Sequence, residues 1–132
     1  MFINFSDIPK HQNLFLDYMY EFENVHEFYK HNFRNKEGYL PLFRSISESR
    51  KSRNINLSSI LNNQYSSLTN VSSKTLRNIE LLNKEKTIAV VTGQQLGILG
   101  GPLYTIYKII TILRLANQFT EKYDEFKFVP VF

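Results

Sequence analysis

Apolar residues recur at a helical interval through residues 13–33. Leu14, Tyr18, Phe22, Val25, Tyr29 and Phe33 step by four, four, three, four and four. That spacing predicts a broad apolar stripe on one helix, or on two helices end to end. Phe15, Met19 and Phe28 widen the stripe, and Asp17, Glu21, Glu23 and Glu27 make a solvated acidic face. Ser6 or Asp7 is expected to cap the start, with Pro9 in the first turn. Gly38 and Pro41 break the pattern. Residues 44–54 are polar and basic and read as an exposed helix or a loop. Leu57, Ile60, Leu61, Tyr65 and Leu68 restore helical spacing, and Leu76, Ile79 and Leu82 repeat it after a turn or helix-start cluster at residues 70–73.

The texture changes at Thr87. Residues 87–92 (TIAVVT) are a short β-branched run with charge before it and glycine after it, which reads as a buried parallel strand. A glycine-rich loop follows over residues 93–101. Pro102 suits the first turn of a helix reaching about Phe119, and residues 126–132 (FKFVPVF) read as a second strand. Strand, loop, helix and strand make a βαβ unit, whose crossover is expected to be right-handed. Two parallel strands do not make a self-sufficient sheet. The expected organisation is a helical segment over residues 1–86 and the first unit of a larger α/β domain over residues 87–132, with the parallel sheet incomplete.

Length and composition narrow the class. A chain of 132 residues with 42% apolar and 21% charged residues fits one globular domain and not a disordered chain. The absence of cysteine removes a disulfide scaffold, a thiolate metal site and a cysteine nucleophile from this segment. No secretory leader is visible, so a cytoplasmic location is expected. The most apolar window, residues 106–115, is interrupted by Lys108 and Arg114 and is too short to span a bilayer. The histidines His11, His26 and His31 lack metal-ligand spacing, and no metal site is expected.

The net charge of +4 is unevenly placed. Residues 1–37 carry six acids and four bases, whereas residues 38–86 carry three acids and eight bases. Arg44, Arg50, Lys51 and Arg53, with Tyr39 and Phe43 as stacking groups, would serve a nucleic-acid reading. Dense basic runs and RNA-binding signatures are missing, so a solvated surface is the favoured reading and no nucleic-acid partner is expected.

The loop carries the candidate chemistry. Four of the five glycines fall within residues 93–101. Glycine lets a ligand approach the backbone closely. A loop from a strand end to a helix start sits at the carboxyl edge of the sheet, where open α/β folds bind ligands, and free N–H groups at the helix start favour an anion. The loop is neither a Walker A motif nor GxGxxG, since Gln95 occupies the second glycine position. Gly93, Gly97 and Gly100 make a GxxxGxxG spacing, which a tight structural turn would also satisfy. Gln94 and Gln95 offer paired amides toward a polar ligand. Lys108 interrupts an apolar helix face, about 9 Å along the axis from Pro102 at about 1.5 Å per residue. Its stem can bring the ammonium back toward the loop, as a lysine snorkelling at a core boundary also would. Thr105 lies one turn earlier on the same side. No acid lies between Glu85 and Glu121, so a general acid or base must come from elsewhere.

Residues 87–111, TIAVVTGQQLGILGGPLYTIYKIIT, closely resemble the signature of the BshC family, the cysteine ligases of bacillithiol biosynthesis. Residues 128–132 resemble the strand that follows there, and Leu14 to Phe33 resemble that family's opening helices. The resemblance implies a Rossmann-like fold related to class I aminoacyl-tRNA synthetases and nucleotidyltransferases, with a dimerising coiled coil in the complete protein. It implies ligation of L-cysteine to glucosaminyl-malate, with ATP as the activator by kinship. Family members are several times longer and continue into an acidic, histidine-containing segment, so an inactive fragment is expected here. Gly93, Gln94, Gln95, Gly97, Gly101, Thr105 and Lys108 are the candidate substrate- or anion-binding residues, with the catalytic groups unassigned. The competing expectation is a non-catalytic nucleotide-, phosphate- or partner-binding α/β module.

Overall fold

The β-branched run and the late aromatic run pair as a two-stranded parallel sheet. In the computed structural model, which describes residues 4–51, 56–93 and 101–132, β1 spans Thr87–Val91 and β2 spans Lys127–Val131. Their register runs from Thr87 opposite Lys127 to Val91 opposite Val131. One helix, Leu103–Lys122, joins them. The two predicted strands, parallel, and the helix between them are therefore present, and the fold is α/β with an incomplete sheet; residues 94–100 of the predicted loop lie outside the described residues.

Four shorter α-helices precede the sheet among the described residues. We number the helices in chain order: α1 is Asn13–Tyr20, α2 Tyr39–Lys51, α3 Leu57–Tyr65, α4 Ser73–Leu81 and α5 the connecting helix. The polar stretch after residue 44, open between helix and loop on sequence, is helical through Lys51. Its burial explains this: Phe43 and Ser47, one turn apart, face inward while their neighbours stay solvated. The next two helices begin at side-chain caps. Asn56 accepts from the Ser59 N–H at 3.1 Å, and Ser72 accepts from the Thr75 N–H at 3.1 Å.

The chain divides into two compact units, Met1–Pro41 and Leu42–Phe132. The change from helices to sheet at residues 86/87 thus falls inside the second unit. That unit's core is aromatic. The Phe43 ring lies 4.9 Å from Phe128, 5.2 Å from Phe119, 5.3 Å from Tyr123 and 6.0 Å from Phe126, at steep interplanar angles. Edge-to-face pairs of this kind add to the stabilisation from burial alone. Thr105, Ile112 and Ala116 form the buried face of α5.

The first unit departs from expectation. The apolar spacing predicts helix through residue 33, yet α1 stops at Tyr20, and Glu21 leaves helical geometry at φ −125° and ψ 56°. A short 3₁₀ turn at Phe22–Asn24 follows. The aromatic residues still converge, because Tyr18 lies 5.2 Å from Phe33 in a stacked pair, 4.8 Å from Tyr29 and 5.9 Å from Phe22. Phe28 does not join them and is 80% exposed. The helix start also differs. Ser6 and Asp7 lie in a 3₁₀ turn, and Lys10 takes φ 71°, which no continuing helix tolerates. The helix therefore begins only after Gln12.

A surface ion cluster ties three parts of the second unit together. Arg44 on α2 and Lys86 before β1 approach Glu125 before β2 at 3.1 and 3.6 Å. The hydrogen bond from Arg44 holds the Glu125 carboxyl below its usual range, against a smaller opposing effect of desolvation. A depressed folded-state value contributes stability above the unfolded value, about pH 4.3, and loses it as pH falls through the folded value. All three groups are exposed, so the effect is small. Glu125→Gln is expected to lower Tm slightly at neutral pH, with the gap closing as pH falls through the folded-state value of the carboxyl. An equal gap at both pH values would refute the ion-pair account.

Candidate functional site

The ladder between the strands runs one step past β1, where the Thr92 N–H donates to the Val131 carbonyl at 3.1 Å. Gly93 follows at the carboxyl edge of the sheet. It is exposed, and a Cβ placed there would meet nothing within 4 Å among the described residues. Open space therefore adjoins this backbone. On the far side of the loop, Gly101 takes φ 75°, a region that only glycine enters without strain. Pro102 is extended at ψ 155° and acts as the N-cap of α5, so the helix starts one residue later than its sequence placement in the first turn. Its carbonyl accepts the Thr105 N–H at 2.8 Å.

Lys108 returns toward this edge. Its Nζ donates to the Gly93 carbonyl in a long 3.5 Å contact and sits 4.7 Å from the centroid of the Tyr104 ring. Sequence reasoning missed Tyr104, although a tyrosine four residues before a lysine on one helix face is a readable signal. Lys108 is half-buried. An ammonium carries three donors, so the Gly93 carbonyl occupies only part of its capacity. Thr105 is buried at 9% exposure on the inner face of α5. The structure thus brings Gly93 and Lys108 together and sets Gly101 and Thr105 at the start of α5. Gln94, Gln95 and Gly97 lie outside the described residues.

Among the described residues of the basic cluster, Arg44, Arg50 and Lys51 each have an intramolecular partner. Arg44 pairs with Glu125, and Lys51 pairs with Glu48 at 2.9 Å. Arg50 donates from one guanidinium nitrogen to the Thr87 carbonyl and from another to the Leu82 carbonyl. Phe43, the would-be stacking group, is buried. Arg53 lies outside the described residues.

Arg50 also borders a cavity of about 720 Å³ beside β1, lined in part by Ile46, Asn56, Leu82, Asn83, Thr87 and Ala89. Its polar lining is largely satisfied internally. Asn83 accepts the Ser58 N–H at 3.1 Å and donates to Asn56 at 2.8 Å. The Thr87 hydroxyl is the exception, being fully buried with no hydrogen-bond partner among the described residues. Among the described residues, no three His, Asp or Glu side chains gather as metal ligands, and no helix is long and apolar enough to cross a membrane.

A glycine-bounded loop between a parallel strand and the helix that crosses back to its neighbour defines a Rossmann-like unit. The family model for the N-terminal Rossmann-like domain of the bacillithiol biosynthesis protein BshC matches residues 1–132, and the chain belongs to this family. The relative from Christiangramia forsetii, named "Putative cysteine ligase BshC", is 42% identical over 123 residues, covering 90% of this chain and 22% of its own length. A relative of the same name from Chloroherpeton thalassium is 38% identical over 109 residues, covering 82% of this chain and 19% of its own. Another from Desulforamulus reducens reaches 54% identity over 59 residues, or 45% of this chain and 11% of its own. The chain thus spans about a fifth of the length of the first two relatives.

Proposed function

We propose that residues 1–132 form the opening part of an enzyme that joins L-cysteine to glucosaminyl-malate in bacillithiol biosynthesis, acting in the cytoplasm. The family membership and the names of the relatives support the reaction class. The observation that carries the site is the Lys108 ammonium at the Gly93 carbonyl, on the carboxyl edge of a parallel strand, with open space next to Gly93. An amide-forming ligase must present an anionic carboxylate and, where a nucleotide activates it, an anionic phosphate. Lys108 balances that charge, the glycines let the ligand approach the backbone, and the N–H groups at the start of α5 add donors. Gln94 and Gln95 orient the polar part of the substrate. ATP, when bound, supplies activation of the carboxylate, and the residues that would hold its phosphates are Gly93, Gly101 and Lys108. The general acid or base and the coiled-coil dimer contact belong to the part of the enzyme beyond this segment, so the 132-residue chain alone is expected to be inactive.

The test uses a chimera in which residues 1–132 are followed by the part of the Christiangramia forsetii relative that lies beyond its matching segment. Lys108→Met keeps the stem and removes the charge. Loss of a charge-assisted hydrogen bond of about 1–3 kcal/mol lowers kcat/KM by about 5- to 150-fold. The measurement is cysteine-dependent consumption of glucosaminyl-malate, with Tm recorded in parallel. Near-normal turnover in Lys108→Met would remove the charge role. A loss of turnover matched by an equally large loss of stability would reduce Lys108 to a loop-positioning residue.

A further inference from the structure

Packing does not account for Tyr104. The buried face of α5 is Thr105, Ile112 and Ala116. Tyr104 lies off this face and is 43% exposed. Its ring centroid sits instead 4.7 Å from the Lys108 ammonium. An interval of four residues sets two side chains one above the other on a helix, and the later one leans back over the earlier. The lysine stem therefore runs toward Tyr104 and brings its charge within the roughly 6 Å at which a cation is attracted to an aromatic face. That attraction matters because a four-carbon stem has many rotamers to lose on being ordered. The contact with the Gly93 carbonyl, at 3.5 Å, is at the long limit of a hydrogen bond and fixes the stem only weakly. The ring adds a second restraint, from α5, to the one from the loop after β1.

We infer that Tyr104 is a positioning residue: its ring holds the Lys108 ammonium beside the Gly93 carbonyl, set to meet one carboxylate or phosphate oxygen of the substrate. This rests on the reading of Lys108 above as the group that balances the ligand's charge. An ammonium has three donors. With one spent on the carbonyl and the ring face covering part of the rest, what remains serves a single anionic oxygen at the Gly93 edge, where a Cβ would meet nothing within 4 Å among the described residues. The ring acts through the lysine and not on the ligand. Its face is what the role needs, so phenylalanine can fill it and an aliphatic residue cannot.

The test is a double-mutant cycle in the chimera, with cysteine-dependent consumption of glucosaminyl-malate and Tm measured on each variant. Tyr104→Leu keeps a good helix former and an apolar side chain but loses the ring. It is expected to lower kcat/KM by about 3- to 10-fold, the scale of a cation–π contact at a partly exposed site. Tyr104→Phe is expected to stay within about 2-fold of the wild type. In the Lys108→Met background, Tyr104→Leu is expected to cost nothing further. A loss of the same size in that background, or no rescue by phenylalanine, would overturn the positioning role. So would wild-type turnover in Tyr104→Leu beside an impaired Lys108→Met; the anion site would then stand and only the ring would be dismissed. Near-normal turnover in Lys108→Met would refute the anion site itself, and the positioning role would fall with it. Proton NMR of the 132-residue chain reads the contact without turnover. The ring current is expected to hold the Lys108 ε-methylene protons upfield in the wild type and in Tyr104→Phe, and to release them in Tyr104→Leu. Equal shifts in all three would overturn the contact.

Discussion

Phe43→Ala is expected to cost about 3–5 kcal/mol, the range for truncating a buried phenylalanine to alanine. Domains are stable by only about 5–15 kcal/mol in total, so the variant should lose most or all of its cooperative unfolding transition. The reason is position. Phe43 touches aromatic side chains from α5, from the turn before β2 and from β2 itself. Removing it opens a void where Phe119, Phe126 and Phe128 now converge, and close-packed interiors relax only partly into such voids. Phe43→Leu keeps much of the volume and should cost clearly less. Urea denaturation followed by tyrosine fluorescence gives both values. A Phe43→Ala variant that melts within 1 kcal/mol of the wild type, about the average effect of any substitution, would mean that the ring is peripheral to the core.

The second large effect is expected at Arg50. One guanidinium reaches two carbonyls, Leu82 at the end of α4 and Thr87 at the start of β1. It therefore offsets the negative end of α4 and holds the entry to the sheet with the same group. Arg50→Met keeps the apolar stem and orphans both acceptors. A buried acceptor left unsatisfied costs about 1–3 kcal/mol, and some water reaches this half-exposed site, so a combined loss of roughly 2–4 kcal/mol is expected. Arg50→Lys should recover little, because an ammonium lacks the planar fork that spans both carbonyls. Denaturant midpoints for the three proteins decide the matter. Full recovery by lysine would show that only the charge is used.

The parts of this fold that were legible in the sequence are those decided locally. The β-branched run at Thr87, the glycines and Pro102 are each strong punctuation, and β1, α5 and β2 follow them closely. The apolar spacing at Leu57, Ile60, Leu61 and Tyr65, and at Leu76, Ile79 and Leu82, made α3 and α4 legible as well. The stretch from Leu14 to Phe33 was misread because a four-residue interval does not distinguish a helix face from rings that meet across turns. Tyr18, Tyr29 and Phe33 satisfy their contacts without the intervening helix. The basic residues were illegible for another reason. Their partners, Glu125 for Arg44 and the carbonyls of Leu82 and Thr87 for Arg50, are far along the chain. A charge count gives sign but not partner. At the candidate site the spacing of Gly93 and Lys108 did convey that the lysine returns to the loop, because helical side chains lean toward the N-terminus. The role of Tyr104 beneath its ammonium was not drawn from the same spacing.

The parallel register has a kinetic consequence. Thr87 meets Lys127 only after the whole of α5 has been made, whereas the contacts of α3 with α4 and their caps are available much earlier in the chain. Closing a long loop before any reward from pairing is the slow part of folding. During synthesis from the N-terminus, β1 must wait as an unpaired, β-branched segment while some forty further residues leave the ribosome, at about 5–20 residues per second. Two native bonds to Thr87 need only residues already synthesised, from its N–H to the Lys84 carbonyl and from Arg50 to its carbonyl, and both can form while β1 waits.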